Sequence, residues 1–293
     1  MKLKFQKIGI LGKPKEPSFD KIIIQLADIL TALGAQVAFE IDFAERLQTD
    51  PMNVFDLDTL CRVSDLLIVI GGDGSILHAA RAAVRHDTPI LGIHRGRLGF
   101  LTDICPQDIS TEIPRILMGD YLEEPRFLLE AQLISAAGEA YEPVRALNDI
   151  VLHSGEIARM IEYELWVDGV YVCRQRSDGL IVSTPTGSTA YALSGGGPIL
   201  HPSLDAIALV PMNPHTLSSR PLVVRSEALV QLRIPPETDH LPKVTCDGQV
   251  RLSTAVNDVI EIRRYPTPVR LIHPMNHDYF KMLRDKLGWG SER

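Results

Sequence analysis

Leu66-Leu67-Ile68-Val69-Ile70-Gly71-Gly72-Asp73-Gly74-Ser75 is the stretch that decides the fold. Five apolar residues followed at once by glycines read as a buried strand ending in a turn. Ile76, Leu77, Ala80, Ala83 and Val84 then fall on one helical face, so a helix is predicted to begin near Ser75. Glycines let backbone amides approach a ligand, and a helix N-terminus carries partial positive charge, so the turn suits phosphate. Asp73 stands in its middle. The plainest reading of Asp73 is a turn aspartate that caps the helix. Three glycines in four residues, at the carboxyl end of a strand, favour a ligand site instead. There a carboxylate takes the proton of an attacking hydroxyl or holds a phosphate-bound cation.

Outward from this stretch the chain alternates strand and helix patterns. Ile8 to Leu11 reads as a strand, broken off by Pro14 and Pro17. A helix is predicted from about Ser18, its cap, to Gly34, its stop. Gln36 to Ile41 and Pro89 to Ile93 read as further strands, and Ile109 to Met118 as a helix stopped by Gly119. Such alternation predicts a Rossmann-like domain with a mainly parallel sheet over residues 1–120. From Tyr121 the pattern changes. Glu162 to Val167, Asp168-Gly169 and Val170 to Arg174 predict a hairpin with a type I′ turn. Phe127 to Ile134, Leu229 to Ile234 and Val259 to Arg263 are β-rich, so residues 121–269 are expected to form a sandwich-like β domain. Residues 278–287 return to helical spacing, and the segment 270–293 is expected to pack back on the first domain or on another subunit.

The second polar segment, Ser183-Thr184-Pro185-Thr186-Gly187-Ser188-Thr189-Ala190-Tyr191, runs on into Ser194-Gly195-Gly196-Gly197-Pro198. It reads as a hydroxyl-rich, nearly uncharged loop suited to the sugars and amides of a nucleotide. With the glycine turn it points to a nucleotide-handling phosphotransferase.

Composition narrows the class. The 293 residues carry a net charge of −7, which argues against a nucleic-acid partner. No apolar run approaches the roughly 20 residues that span a bilayer. Cys61, Cys105, Cys173 and Cys246 are scattered, as in a reduced cytoplasmic protein. Among the nine histidines, His273 and His277 are four apart, but Pro274 keeps them off one helix face. They read as loop residues, and a tightly held zinc is not expected.

The glycine turn resembles the motif shared by NAD kinases, diacylglycerol and sphingosine-type lipid kinases, and phosphofructokinases. The second half separates them. Leu147-Asn148-Asp149-Ile150-Val151-Leu152-His153 is similar to the Asn-Glu/Asp segment of NAD kinases. Arg176-Ser177-Asp178-Gly179-Leu180 through Pro198 resembles their threonine- and glycine-rich segment nearly residue for residue. Arg95-Gly96-Arg97-Leu98-Gly99-Phe100-Leu101 and Cys246-Asp247-Gly248-Gln249 resemble an early and a late segment of the same family. The likeness covers nearly the whole chain, and by it the sequence is identified as a member of the bacterial NAD kinases.

The resemblance implies transfer of the terminal phosphoryl group of ATP to the 2′-hydroxyl of the adenosine ribose of NAD. Asp73 would be the base and Gly74 would approach the nucleotide. Asn148, Asp149, Arg159, Arg176, Asp178, Thr189, Ala190, Tyr191, Ala192, Leu193, Ser194 and Gln249 match the family's NAD contacts. Asp149 stands where many members carry Glu, and Arg159 where some carry His. The resemblance also implies Mg²⁺ or another divalent cation arriving with ATP, a cytoplasmic enzyme, and a homo-oligomer, dimer or tetramer. Other classes fit less well. The P-loop signature is absent. Gly9-Ile10-Leu11-Gly12 lacks the spacing of a dehydrogenase fingerprint. A lipid kinase should carry an apolar groove where this chain has Ser183 to Ser194. A nucleotide-sensing module without catalysis is the alternative that an assay for NADP excludes.

Overall fold

The computed structural model describes residues 3–12, 18–41, 53–94, 96, 99–155, 159–238 and 240–289. Pro14, Pro17, Arg95, Arg97 and Leu98, named above, lie outside the described residues, as does the side chain of Ser18. The chain divides into two compact units, residues 1–125 with 269–293, and residues 126–268.

The first unit is built on one sheet. Its strands are β1 (Lys7–Gly12), β2 (Gln36–Glu40), β3 (Val54–Phe55), β4 (Leu66–Gly71), β5 (Ile90–His94), β6 (Leu122–Arg126) and, late in the chain, β19 (Val269–His273), in the order β3-β2-β1-β4-β5-β19-β6. The pairings from β3 through β19 are parallel. All six residues of β4 are buried, as expected of a strand covered by helices on both faces. Leu66, Ile68 and Ile70 face α1 (Ser18–Ala32) and a later helix over Ile109–Leu117, meeting Ile23, Leu26, Ile113 and Ile116 in one cluster. The opposite face meets α2 (Leu57–Val63) and α3 (Asp73–Ala83), which bury Leu60, Ile76 and Ala80. The later helix is α4 (Ile109–Leu117). The strand order reverses between β1 and β4, and Gly71 is the carboxyl end of β4. That is where open α/β sheets bind ligands.

The second unit is a sandwich. One sheet runs β11 (Val170–Ser177), β10 (Ile161–Val167), β15 (Val230–Arg233), β18 (Val259–Arg264), β7 (Leu129–Ile134), β8 (Val144–Ala146). The other runs β14 (Leu222–Arg225), β13 (Ala206–Met212), β12 (Gly179–Ser183), β9 (Asp149–His153), β16 (Lys243–Cys246), β17 (Val250–Ser253). Leu133, Tyr163, Leu165, Leu232 and Ile260 of the first meet Ile150, Leu152, Leu180, Val182 and Leu209 of the second in a shared core. The parallel-sheet unit and the β sandwich agree with the fold expected from sequence. The Asp168-Gly169 hairpin also forms with the expected turn, both residues at positive φ, 50° and 76°.

Several local expectations are corrected. The helix after the glycine turn starts at Asp73, not near Ser75. Asn148-Asp149, which in isolation looks like an ordinary turn, leads into β9 in the middle of its sheet, where Asp149 pairs with Ser183. The run after Ser183 is not an open loop: Thr186–Thr189 is a 3₁₀ turn and α5 (Tyr191–Ser194) follows. Last comes α6 (Tyr279–Leu287), capped by Asp278, which accepts from the Lys281 N–H at 3.0 Å, and closed by left-handed Gly288.

Candidate active site

In the first unit Asp73 opens α3, but its carboxylate does not cap it. Oδ2 accepts from the Phe100 N–H at 2.9 Å and Oδ1 from the Leu101 N–H at 3.0 Å. Two donors, one on each oxygen, fix the carboxylate in a single orientation. Gly99 makes this approach possible, because a methyl group there would stand 2.0 Å from Asp73 Oδ1. The family-like segment around Gly99-Phe100-Leu101 therefore serves the aspartate with its backbone. Gly74 lies in the first turn of α3.

In the second unit a cavity of 660 Å³ is lined by Asn148, Asp149, Arg159, Asp178, Ala190 and Tyr191 among others. Strand alternation explains the lining. Ile150 and Leu152 of β9 point into the sandwich, so Asp149, Val151 and His153 point outward into the cavity. The volume is that of an ordinary small-molecule site. Asp178 Oδ2 accepts from Asn213 Nδ2 at 2.8 Å, which holds it at the wall.

Asp247 also lines the cavity, and as a site residue it was missed from sequence. It sits with Gly248 in a second turn of two positive φ values, 52° and 63°, and its Asp-Gly pair was the signal for that turn. Its carboxylate accepts from the Asn148 N–H at 2.8 Å and the Leu147 N–H at 3.1 Å, fixing the entry to β9. Burial, and secondly the Asp247 charge, push the Asp149 carboxyl up to about 7. The fold thus favours neutral Asp149. Stability from this group is complete below the ordinary carboxylate range and is lost as pH rises through about 7. We expect Asp149→Asn to raise the melting temperature above pH 7, by about 2–4 °C per kcal/mol relieved. The gain should vanish near pH 4; thermal melts across that range check it, and an equal shift at both ends contradicts it.

The remaining expected site residues are placed differently. Arg176 faces a separate cavity of 640 Å³ with Glu162, Glu237 and His240, and Arg159 borders both cavities. Thr189, Leu193, Ser194 and Gln249 are not among the residues lining the first cavity. The Ala192 side chain packs with Val151, Ile181 and Ala208 in an apolar cluster. The hydroxyls expected to meet a nucleotide mostly hold the segment itself. Thr184 Oγ1 donates to the Leu147 carbonyl at 2.6 Å, and Ser188 Oγ donates to the Pro185 carbonyl at 2.6 Å while accepting from the Leu200 N–H at 2.9 Å. Ser183, Thr184 and Ser188 are buried. Their number reflects the need to satisfy a folded-in turn beside β9.

The histidines supply a further correction. His273 and His277 are not independent loop residues: they stack at 4.0 Å between ring centroids and both meet Asp103.

Comparison with known proteins accounts for both halves. The ATP-NAD kinase N-terminal domain model matches residues 8–121 and the ATP-NAD kinase C-terminal domain model residues 147–274. The chain is 51% identical over 288 residues to an NAD kinase of Acinetobacter baylyi, covering 98% of this chain and 93% of that one. It is 48% identical over 290 residues to an NAD kinase of Azotobacter vinelandii, covering 98% and 97%. Among solved structures, yeast NADH kinase complexed with NADH superposes with a TM-score of 0.89 at 26% identity, over 98% of this chain and 89% of that one. An NAD kinase from Archaeoglobus fulgidus in complex with ATP gives 0.77 at 28%, over 97% and 99%. The chain belongs to the ATP-NAD kinase family.

Proposed function

We propose that Asp73 is the base and that the cavity beside β9 holds the dinucleotide in the reaction this kinase catalyses, transfer of the terminal phosphoryl group of ATP to the adenosine 2′-hydroxyl of NAD. The observation that carries the base role is the grip of Phe100 and Leu101 on the Asp73 carboxylate. An aspartate that only capped its helix would turn its oxygens to the first-turn N–H groups. Asp73 turns away from them and is presented in one orientation just past the carboxyl end of β4. Phosphoryl transfer needs little covalent help, so a positioned base and neutralised phosphate charge supply most of the catalysis.

Each Asp73 oxygen keeps a lone pair beyond its N–H bond, and hard carboxylate oxygen is what Mg²⁺ takes. The turn therefore fits a divalent cation arriving with ATP, which would offset phosphate charge. Asn148, Asp149, Asp178 and the backbone near Ala190 and Tyr191 are assigned to the ribose, base and amide groups of NAD. The yeast relative's complex with NADH and the archaeal relative's complex with ATP support a site for each nucleotide class. Among the described residues no helix is long and apolar enough to cross a membrane. Val170, Tyr171, Leu222 and Val223 lie exposed on the edge strands β11 and β14, in keeping with a homo-oligomer that covers them.

The cavity assignment is tested by Asp247→Ala. Removing the carboxylate frees the Leu147 and Asn148 N–H groups and loosens the start of β9. Hydrogen bonds to charged groups contribute about 1.5–3 kcal/mol, so KM for NAD should rise about 10- to 100-fold, more than kcat falls. An unchanged KM in a folded variant would place the acceptor elsewhere.

A further inference from the structure

Residues remote in sequence converge within the first unit, away from the glycine turn. Asp103 follows β5, Glu124 lies in β6, His273 ends β19, and His277 begins the approach to α6. Pro274 forms the turn that returns the chain: the His277 N–H donates to its carbonyl at 3.0 Å, which brings the second imidazole over the first. Both rings present the same nitrogen to one carboxylate. His273 Nδ1 meets Asp103 Oδ2 in a short contact, and His277 Nδ1 lies 2.9 Å from Oδ1. On the far side, His273 Nε2 is 3.3 Å from Glu124 Oε2. The cluster is largely shielded, with side-chain exposure of 2% for His273, 11% for His277 and 15% for Asp103.

Charge balance is the difficulty that such a group has to solve. Asp103 meets both imidazoles, and an ion pair with each would require both rings to be charged. That sets two like charges in stacked rings at a centroid spacing of 4.0 Å, which each ring disfavours in the other. One divalent cation offsets the Asp103 charge while both imidazoles stay neutral.

We propose that Asp103, His273 and His277 are the ligands of one divalent first-row cation of the zinc class, with Glu124 as the acceptor for the His273 Nε2–H. One carboxylate and two imidazoles are a donor set that suits zinc, and water completes the fourth position. A carboxylate on the outer nitrogen of a ligating histidine is the usual support that fixes its tautomer. One oxygen of Asp103 and the ring nitrogens already lie within 4.8 Å of one another. Zinc at its usual bond lengths separates tetrahedral ligands by about 3.3 Å, so the Asp103 carboxylate draws back by roughly 1 Å or less as the ion enters. This cation is distinct from the one that accompanies ATP. It ties the C-terminal segment to the stretch that, two residues earlier, gives its Leu101 N–H to Asp73.

The test uses the full chain, stripped with a chelator and titrated with Zn²⁺ alone, reading stoichiometry and Kd by calorimetry and by competition with a chromogenic chelator. The expected result is one equivalent per chain, lost in His277→Gln and weakened about 10- to 100-fold in Glu124→Gln, where all three ligands remain. His201→Gln, a half-buried histidine of the other unit, should bind as the wild type does. Thermal melts with and without Zn²⁺ give a second reading: the ion should raise the melting temperature of the wild type and not of His277→Gln. If His277→Gln does not fold, Glu124→Gln carries the test. Wild-type chain that takes up no zinc beyond the level of free imidazole overturns the proposal. So does an affinity unchanged in both Glu124→Gln and His277→Gln, and the cluster is then a proton-held ionic clamp.

Discussion

Asp73→Asn should lower kcat by about 10²–10⁴-fold, the usual contribution of a general base, while changing NAD affinity only modestly. The amide keeps the size of the side chain but does not take up the hydroxyl proton. It also keeps only one good acceptor for the two donors that grip the carboxylate, so its NH₂ faces either the Phe100 or the Leu101 N–H. Some loss of stability should accompany the kinetic defect, and melts separate the two. Magnesium distinguishes the remaining explanations. If Asp73 acted mainly as a cation ligand, raising Mg²⁺ would restore turnover by mass action. A base leaves a defect that persists at saturating Mg²⁺. Near-normal turnover in a folded Asp73→Asn enzyme would reduce Asp73 to a structural role.

The second large effect is expected at Gly187. A methyl group there would stand 2.1 Å from the Asn148 carbonyl oxygen, 2.5 Å from its carbon and 2.7 Å from its Cα, all backbone atoms. No side chain can swing aside to relieve this. Either the 3₁₀ turn over Thr186–Thr189 or the entry to β9 must shift. The two are joined by the Gly187 N–H to Thr184 Oγ1 and by Thr184 Oγ1 to the Leu147 carbonyl, so a shift on one side reaches the other. Overpacking of this kind typically costs about 1–3 kcal/mol. Because Asn148 and Asp149 line the cavity, Gly187→Ala should also misplace the acceptor. A misplacement of about 1 Å costs on the order of 10²-fold in rate, so kcat/KM for NAD should fall by about that much. Unchanged kcat/KM, with the variant folded, would separate the turn from acceptor binding.

The parts legible in sequence were those governed by local pattern. β4 is an unbroken apolar run because both its faces are covered, and the glycines after it mark the turn directly. The Asp168-Gly169 hairpin was equally plain, since few residue pairs accept two positive φ values. β9, β12 and β13 were harder. All five residues of β12 are buried, so no alternation marks it, and the glycine and hydroxyl residues around it look like loop. Its hydroxyls instead satisfy backbone carbonyls inside the fold, a use that composition does not reveal. The turn aspartates illustrate a second limit. Asp73 looked like a cap and grips Phe100 and Leu101, while Asp247 reaches Asn148 across a separation of 99 residues. His273 and Asp103 are 170 apart, and Pro274, which argued against a shared helix face, makes the turn that stacks the two histidines. Such contacts arise from sheet order rather than from spacing, which is why the site was legible as a set of segments and not as a geometry.

The most direct measurement follows the phosphate. Purified protein is incubated with NAD, Mg²⁺ and ATP labelled in its terminal phosphoryl group, and the product is resolved by ³¹P NMR, in parallel with Asp73→Asn. The label should appear on the 2′-oxygen of the adenosine ribose, giving NADP and ADP, with the rate in the variant lower by the factor of about 10²–10⁴ expected of a lost base. Label released as free phosphate without NADP, or NADP formed equally fast by the variant, would contradict the account.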